Sequence, residues 1–577
     1  MPSLSWFRAV GGPRRFEGYG LMSFVQAPPV LNNQYLDDRV LRSYLRRILP
    51  AATLAAIESD LTDLGEFAIA AWTQARNRDA AEPRLTNWNA WGERVDRIEL
   101  TPAWQAAQPV AARYGLVAAG HESTHGTAAR VHQFAMVYLF HCASEFYTCP
   151  LAMTDGAVSA IKASGNQRLI DRALPHFLSR DPAQHWICGQ WMTENAGGSD
   201  VSASETTARE ENGRWRLHGR KWFTSAINAQ AALALARPHD AQPGADNLAL
   251  FYIEPRKPDG RWRNIQIDRL KHKLGTRELP TAEIHLHGTP AELVGEARHG
   301  VRTIAPMLNI TRTWNAVGAL ATMRRGIALA RDYADRRVVF DRPLAEQPLH
   351  QDTLARMQAE FEAAFHLTFF ATELLGRVQT GQADDTQQHL LRLVTPLLKL
   401  WTGKLAVTIA SETCECFGGA GYLEDSGIPQ LLRDAQVWSI WEGTSHVQAL
   451  DFLRAFRATG GLQPILTAQR AVLSQVQSPE LEGCVRTARD AATRIAEWLQ
   501  KATVGERDSL EAGALDVAIS LARTLALSLL TRHAAWALRA ERDPRPAAAA
   551  RRFAEHGVVR LKVNGREDTR MLASDSY

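Results

Sequence analysis

Cysteine is scarce in this sequence. The six present, Cys142, Cys149, Cys188, Cys414, Cys416 and Cys484, are spread over 577 residues. None sits in a CxxC pair matched by a distant second pair, which argues against a zinc site, and so low a density argues against a disulfide framework. They read as free, mostly buried thiols of a reducing compartment. A strong charge of one sign is also lacking: 66 Lys and Arg stand against 62 Asp and Glu, a net +4. That balance neither demands nor forbids a polyanionic partner. No apolar run approaches the length needed to cross a bilayer, so no membrane span is expected. The first 27 residues carry Arg8, Arg14 and Arg15 with several glycines, but not the apolar stretch of a secretory signal. They read as a loose tail, or as the result of a start assigned too early with Met22 the real one, ahead of an organellar presequence. The chain is read as cytoplasmic. Internal repeats and low-complexity tracts are absent apart from the alanine run 547–550.

What is present is length and periodicity. A chain this long exceeds one core, so several domains are expected. From Leu41 to Arg180 the pattern is helical throughout, with apolar residues at three- and four-residue spacing in Asp38 to Ile48 and Ala128 to Phe140. The texture then changes. Glu205 to Glu211, an Asn212-Gly213 turn and Arg214 to Thr224 read as a hairpin, because Asn-Gly supplies the positive φ angles of a type I′ turn. Leu248 to Ile253 and Ala282 to Leu286 add strands. Helical periodicity returns in Leu320 to Val339, Leu354 to Val378 and Leu390 to Phe417, which predict a bundle. Past Gly460-Gly461, the segments Ile465 to Gln477, Cys484 to Leu499 and Leu515 to Leu538 are amphipathic again. The division predicted is an N-terminal tail (1–27), an N-terminal helical domain (28–186), a central β domain (187–297), a four-helix bundle (298–457) and an additional helical domain (458–577).

Three segments carry chemistry. Met192-Thr193-Glu194 through Gly197-Gly198-Ser199-Asp200 follows a strand; its glycines let backbone amides approach a ligand, and Thr193 and Ser199 add hydroxyls. A strand-ending turn with a Ser-Asp cap would explain the same residues. Lys221-Trp222-Phe223-Thr224-Ser225 could flank a flat aromatic cofactor, or Trp222 could be an ordinary core residue. The third runs from Phe417-Gly418-Gly419-Ala420-Gly421-Tyr422 to Trp441-Glu442-Gly443-Thr444-Ser445-His446. Glu442 lies in apolar company, and burial raises a carboxyl pKa in the direction a carbon-acid base requires. It could equally be an acidic residue favouring the N-terminal dipole of a helix that starts near Thr444.

Together, the order and spacing of these segments resemble the acyl-CoA dehydrogenase family over residues 30–455. The helix motif Arg337-Val338-Val339-Phe340-Asp341-Arg342-Pro343-Leu344 is similar to the family's as well. Val30-Leu31-Asn32-Asn33, the stretch His141 to Pro150, Gln347-Pro348-Leu349 and the long C-terminal extension resemble its AidB-type, alkylation-response branch. The resemblance implies an α+β multidomain fold: an N-terminal helical domain, a central β-barrel domain, a C-terminal helical bundle and an additional helical domain. It also implies non-covalent FAD, an acyl-CoA substrate and a homotetramer.

By the same resemblance Glu442 is the catalytic base. Met192, Thr193, Gly198, Ser199, Trp222, Phe223, Thr224 and Ser225 would bind FAD. So would Arg337, Phe340, Gly418, Gly419, Gly443, Thr444 and His446, some of them across a subunit boundary. Ser199, Asn309 and Arg312 would meet the substrate. Some members carry the base on an earlier helix; here that position is Thr311, which cannot serve. Two departures fall where FAD phosphates or adenosine would be held: Glu415 and His446 stand where glutamines are usual. The alternative reading is an AidB-like flavoprotein with weak dehydrogenase activity that binds duplex DNA without sequence preference. Its basis would be the ten Lys and Arg against six acids between Arg532 and Tyr577, with Arg551 and Arg552 as contacts.

Overall fold

The computed structural model describes residues 25–75, 82–504, 507–561 and 566–575. The expected N-terminal tail, including Met22, lies almost wholly outside them, as does Lys562 of the cationic C-terminal stretch. Six helices come first: α1 (Arg39–Ile48), α2 (Ala51–Ala75), α3 (Pro102–Arg113), α4 (Ala129–His141), α5 (Thr148–Ser164) and α6 (Gln167–Phe177). Asp38 caps α1, accepting from the Leu41 amide at 3.0 Å. One oxygen of the same carboxylate also accepts from Tyr138 at 2.6 Å and from Arg324 Nε at 3.2 Å, tying α1 to two distant helices.

The helical expectation for this region misses a hairpin, β1 (Arg84–Trp88) with β2 (Arg94–Glu99). The reason is tertiary. Asp96, 2% exposed, accepts from Asn87 and from the Ile267 amide at 3.0 Å, and Trp262 donates to the Asp96 carbonyl, so the hairpin is pinned to the β domain.

Seven strands form that domain: β3 (Cys188–Trp191), β4 (Thr207–Glu211), β5 (Arg214–Ser225), β6 (Ala231–Pro238), β7 (Ala249–Ile253), β8 (Ile265–Leu270) and β9 (Thr281–Leu293). The ring β6-β4-β5-β9-β7 closes because β6 also pairs with β7; β3 and β8 flank it. Asn212 and Gly213 turn β4 into β5 with φ of 53° and 71°, the expected type I′ geometry. A separate core fills this barrel. Ala232, Ala234 and Ala236 of β6 face Phe251, Ile253, Ile284 and Leu286, small residues against large ones across a narrow interior.

The remainder is helical: α7 (Gly300–Arg336), then a two-strand turn of β10 (Val338–Val339) and β11 (Arg342–Pro343), then α8 (Pro348–Gln379), α9 (Asp385–Cys416), α10 (Ile428–Ala435) and α11 (Ser445–Ala458). The segment from Arg337 to Leu344, expected as a helix motif, is instead this tight turn. Phe340 and Asp341 take φ of 49° and 62°, which no helix admits. The C-terminal elements are α12 (Gln463–Leu473), α13 (Glu482–Val504), α14 (Arg507–Ala512), α15 (Ala514–Ala540), α16 (Arg545–Glu555) and α17 (Arg566–Ser574). The apolar residues of α12 to α16 join those of the bundle in one core. The buried Arg523 of α15 forks onto Glu360 of α8 at 2.7 and 2.9 Å, a bidentate clamp between the two.

Against the expectation of no bilayer-length segment, α9 and α15 are long and apolar enough by composition to cross a membrane. In each the apolar window is 83% buried inside the structure, which makes them central core helices here.

Candidate active site

Glu442 sits where α7, α9 and α11 meet. Its loop arrives from a 3-10 turn, Gln436–Ser439, and leaves at Thr444, whose hydroxyl caps α11 by accepting from the Val447 amide at 3.4 Å. Two glycines let the flanking helices close on this loop. A Cβ on Gly318 of α7 would fall 2.4 Å from the Trp438 ring, and one on Gly403 of α9 would fall 2.6 Å from the Trp438 carbonyl.

Glu442 has a φ of 57° and Gly443 a φ of 96°. Glycine accepts such a backbone freely; a glutamate there costs about 1–2 kcal/mol. Side chains hold it in place. Gln448 Nε2 donates to the Glu442 carbonyl at 2.6 Å, Lys399 Nζ to the Gly443 carbonyl at 2.6 Å, and Arg312 Nε reaches the Glu442 carbonyl at 3.4 Å.

The carboxylate itself accepts from the Thr311 hydroxyl at 2.5 Å. The two places where the family is expected to carry its base are therefore in contact. An aromatic wall backs the loop: Phe146 stacks on Trp438 at 5.4 Å, and Trp441 meets Trp438 at 5.4 Å and Phe146 at 6.1 Å. Burial raises the proton affinity of Glu442, while the Thr311 hydrogen bond and the charges of Arg312 and Lys399 oppose the rise. The result is a carboxyl held above its ordinary range.

The other two sequence segments meet on the β domain. The Thr193 carbonyl accepts the Trp222 amide at 2.9 Å, which joins them edge to edge. Beneath that junction Glu194 and Lys221 form a buried pair at 2.5 Å; Glu194 also takes the Glu205 amide, and Lys221 also donates to the Leu235 carbonyl at 2.7 Å. Met192 is half-buried, Ser199 and Gly198 are exposed, and a Cβ on Gly198 would press on Thr193 Cγ2 at 3.0 Å. Asp200 caps the turn Val201–Ala203, accepting from the Ser202 amide at 2.9 Å, so the capping account of this segment is met as well.

Trp222 is half-buried, with Lys271 Nζ 3.3 Å from its ring centroid; the ammonium occupies one face of the indole. Phe223 is exposed. Thr224 is buried and donates its hydroxyl to the Ala282 carbonyl at 2.7 Å, so what the hydroxyl can still offer is a lone pair. Ser225 pairs with the Thr281 hydroxyl at 3.2 Å.

Other candidates lie elsewhere. Asn309 is half-buried one turn before Thr313, whose hydroxyl its carbonyl accepts at 3.0 Å. Arg337, Phe340, Gly418 and Gly419 gather at the opposite end of α7, where Tyr333 stacks on Phe417 at 4.5 Å. At 1.5 Å per residue, Arg337 stands on the order of 40 Å along the helix from Thr311. Phe340 is 92% exposed, and a Cβ on Gly418 or Gly419 would meet only open space. Glu415, Thr444 and His446 are exposed too. One chain therefore carries two separated halves of the candidate set. Arg551 and Arg552 are on neither; Arg551 faces Glu480 at 3.8 Å and Arg552 is paired with Asp352, and Arg545 nearby is paired with Asp543.

Sequence reasoning missed Lys399, Gln448, Lys271 and the Glu194–Lys221 pair. A signal existed for Lys399, the one charge in the apolar run from Val394 to Trp401. Gln448 and Lys271 carry none, since their partners, backbone carbonyls for Gln448 and the Trp222 ring and Glu283 carboxylate for Lys271, are brought close only by the fold.

Family models match nearly the whole chain. Residues 26–182 match the Adaptive response protein AidB N-terminal domain and 189–289 the Acyl-CoA dehydrogenase middle domain. Residues 298–456 match the Acyl-CoA dehydrogenase C-terminal domain, and 466–575 match a domain described as Acyl-CoA dehydrogenase 11 C-terminal domain-like. The AidB-type resemblance thus holds for the N-terminal domain, while the C-terminal extension matches the dehydrogenase 11 type. A Caenorhabditis elegans protein, Acyl-CoA dehydrogenase family member 11, is 40% identical over 531 residues, covering 89% of this chain and 86% of its own. The Escherichia coli (strain K12) protein described as Putative acyl-CoA dehydrogenase AidB is 32% identical over 394 residues, covering 67% and 71%. The solved structure of Caenorhabditis elegans ACDH-11 in complex with C11-CoA shares the fold with a TM-score of 0.92 at 36% identity, over 97% of this chain and 98% of that one. With its barrel between helical domains and its half-buried glutamate on the adjoining loop, the chain belongs to the acyl-CoA dehydrogenase family, whose members bind FAD.

Proposed function

We propose that this protein dehydrogenates the α,β-carbons of an acyl-CoA with Glu442 as the base. The observation that carries the reading is the Glu442 carboxyl itself, raised in proton affinity by burial, held by Thr311 and backed by the Trp438–Trp441 wall. A base for a carbon acid works best when its conjugate acid is not too strong, and a carboxyl lifted above its usual range meets that need. The residues present fit FAD. Open glycines at 418 and 419 leave room for phosphates, and the joined segments at Thr193 and Trp222 offer backbone and an aromatic face to a flat ring system. FAD, when bound, accepts the hydride that leaves the β-carbon. The chain does the rest: Met192, Thr193 and Trp222 to Ser225 would seat the ring, Ser199, Asn309 and Arg312 would meet the substrate, and Glu442 would take the α-proton.

The separation of Arg337, Phe340, Gly418 and Gly419 from the base supports a cofactor shared between subunits, in a dimer or a dimer of dimers. The C11-CoA bound by the Caenorhabditis elegans neighbour supports a mid-length acyl chain as substrate. Anaerobic mixing of the FAD-loaded protein with a panel of acyl-CoAs should bleach the flavin. Glu442→Gln should keep the fold and the yellow colour yet lose bleaching by several orders of magnitude, because the amide cannot accept the proton. Bleaching at the wild-type rate in that variant would place the base elsewhere.

A further inference from the structure

Against the backbone of the base's loop lies a buried amine with no counter-carboxylate among the described residues. Lys399 of α9 is 0% exposed, and among the described residues its ammonium donates to the Gly443 carbonyl at 2.6 Å. Among the described residues no Asp or Glu comes within ion-pair distance of it. The neighbouring cation differs. Arg312 gives Nη1 to Asp451 at 2.7 Å, and Asp451 also takes both Nη atoms of Arg392, so the arginine charge is answered on the far side. An isolated buried ammonium is costly unless a negative charge lies close by. The one in its field is Glu442, with Arg312 the other charged group facing it. Glu442, in turn, faces Thr311, Arg312 and Lys399, with the buried Cys149 thiol also in its field.

The mechanical role is equally specific. Gly443 is the second residue of a positive-φ pair, and a partner on its carbonyl holds in place the turn that carries Glu442. Gln448 secures the Glu442 carbonyl; Lys399 secures the next one.

We propose that Lys399 is a positioning residue for the base: it fixes the left-handed turn that aims the Glu442 carboxylate, and its ammonium keeps that carboxylate ionised. The inference rests on the reading of Glu442 as base. Burial lowers the Lys399 amine to about 7 and raises the Glu442 carboxyl, and the attraction between the two opposes both shifts, which is how the ammonium favours the ionised base.

The test uses the full-length FAD-loaded protein, an eleven-carbon acyl-CoA and anaerobic stopped-flow bleaching across pH. Reduction of the flavin requires ionised Glu442, so the rate falls on the acid side of its titration. In Lys399→Gln, which can still donate to Gly443 but carries no charge, that acid limb should move to higher pH by about one unit or more. Lys399→Met should show the same shift and a further loss of the plateau rate, on the order of tenfold, from a loosened turn. Lys399→Arg, which keeps the charge, should leave the limb at its wild-type position. An acid limb unmoved in Lys399→Gln, with the flavin retained and Glu442→Gln inactive, overturns this inference alone. Bleaching by Glu442→Gln at the wild-type rate overturns the underlying reading instead.

Discussion

A glutamate with a φ of 57° ahead of a glycine with a φ of 96° is a strained pair held by its surroundings. At Gly443 the constraint is double. An added Cβ would lie 2.6 Å from Gln448 Nε2 and 3.0 Å from Val447 Cγ1, besides sitting at an unfavourable φ. Gly443→Ala should therefore push Gln448 off the Glu442 carbonyl and shift the base. Flavin should still bind, while its reduction by acyl-CoA falls on the order of 100-fold, as a displacement of about 1 Å in a reacting group can produce. Stopped-flow bleaching checks this; an unchanged rate would mean the turn does not aim the carboxylate. The pH dependence has a definite sign. Because burial raises Glu442, activity should fall as pH drops through a value above the ordinary carboxylate range, at which an exposed glutamate would still be ionised. At this scale the sequence singled out Glu442 as a candidate base by its apolar company, with a helix-terminus role equally open until the family resemblance was added. The groups that tune it were not legible. Lys399 reaches Gly443 across 44 positions of sequence, and a lysine within an apolar helix looks like a snorkelling side chain until the loop it touches is known.

Helix α5 shows how elements are locked around that site. Asp155, fully buried, accepts from Arg130 at 2.6 Å, Gln133 at 3.0 Å, His121 at 2.8 Å and Trp314 at 2.8 Å. It thus binds α4, α5 and α7 at one point. Burial raises its pKa, but Arg130 and His121 overcome that and hold the carboxyl well below the usual range. Asp155→Ala leaves Arg130 as an unanswered buried charge, a loss of about 3–5 kcal/mol that chemical denaturation should read directly. The sign with pH follows from the depressed folded pKa. The contribution of Asp155 is fully present above the unfolded carboxyl pKa of about 4 and fades as pH falls below it. The wild type should lose stability there more steeply than Asp155→Asn, and parallel acid titrations would contradict the assignment. Long periodic helices such as α8 and α9 were legible because 3.6-residue patterning repeats over many turns. The β1–β2 hairpin was not, because it is anchored to the barrel through Asp96 and Ile267. Nor was the turn at Phe340, where two non-glycine residues adopt the left-handed region that the sequence gives no reason to expect.

At the scale of the molecule, the proposed cofactor contacts fall into two groups, one on the barrel and one at the far end of α7 from the base. Arg337 stands on the order of 40 Å along α7 from Thr311, and beside it Phe340 is 92% exposed, Tyr422 90% and Leu423 58%. Large apolar side chains exposed together at one end of a bundle mark an interface. If a second copy brings its own 337–340 and 418–422 segments to the first copy's barrel, assembly and FAD binding become linked. Each should then strengthen the other by mass action. Sedimentation of the FAD-loaded protein should show a dimer or a dimer of dimers, and dilution that splits it should release FAD. The double variant Phe340→Ser and Tyr422→Ser should shift sedimentation toward monomer and weaken FAD binding together, although neither residue lies near Glu442. Glu415→Gln provides a control within the same end. It removes an exposed carboxylate from the expected neighbourhood of the phosphates, so FAD should bind more tightly while the oligomer is unchanged. A monomer that holds FAD as tightly as the assembly would contradict the shared site. It would require all the cofactor contacts to come from the barrel end of a single chain.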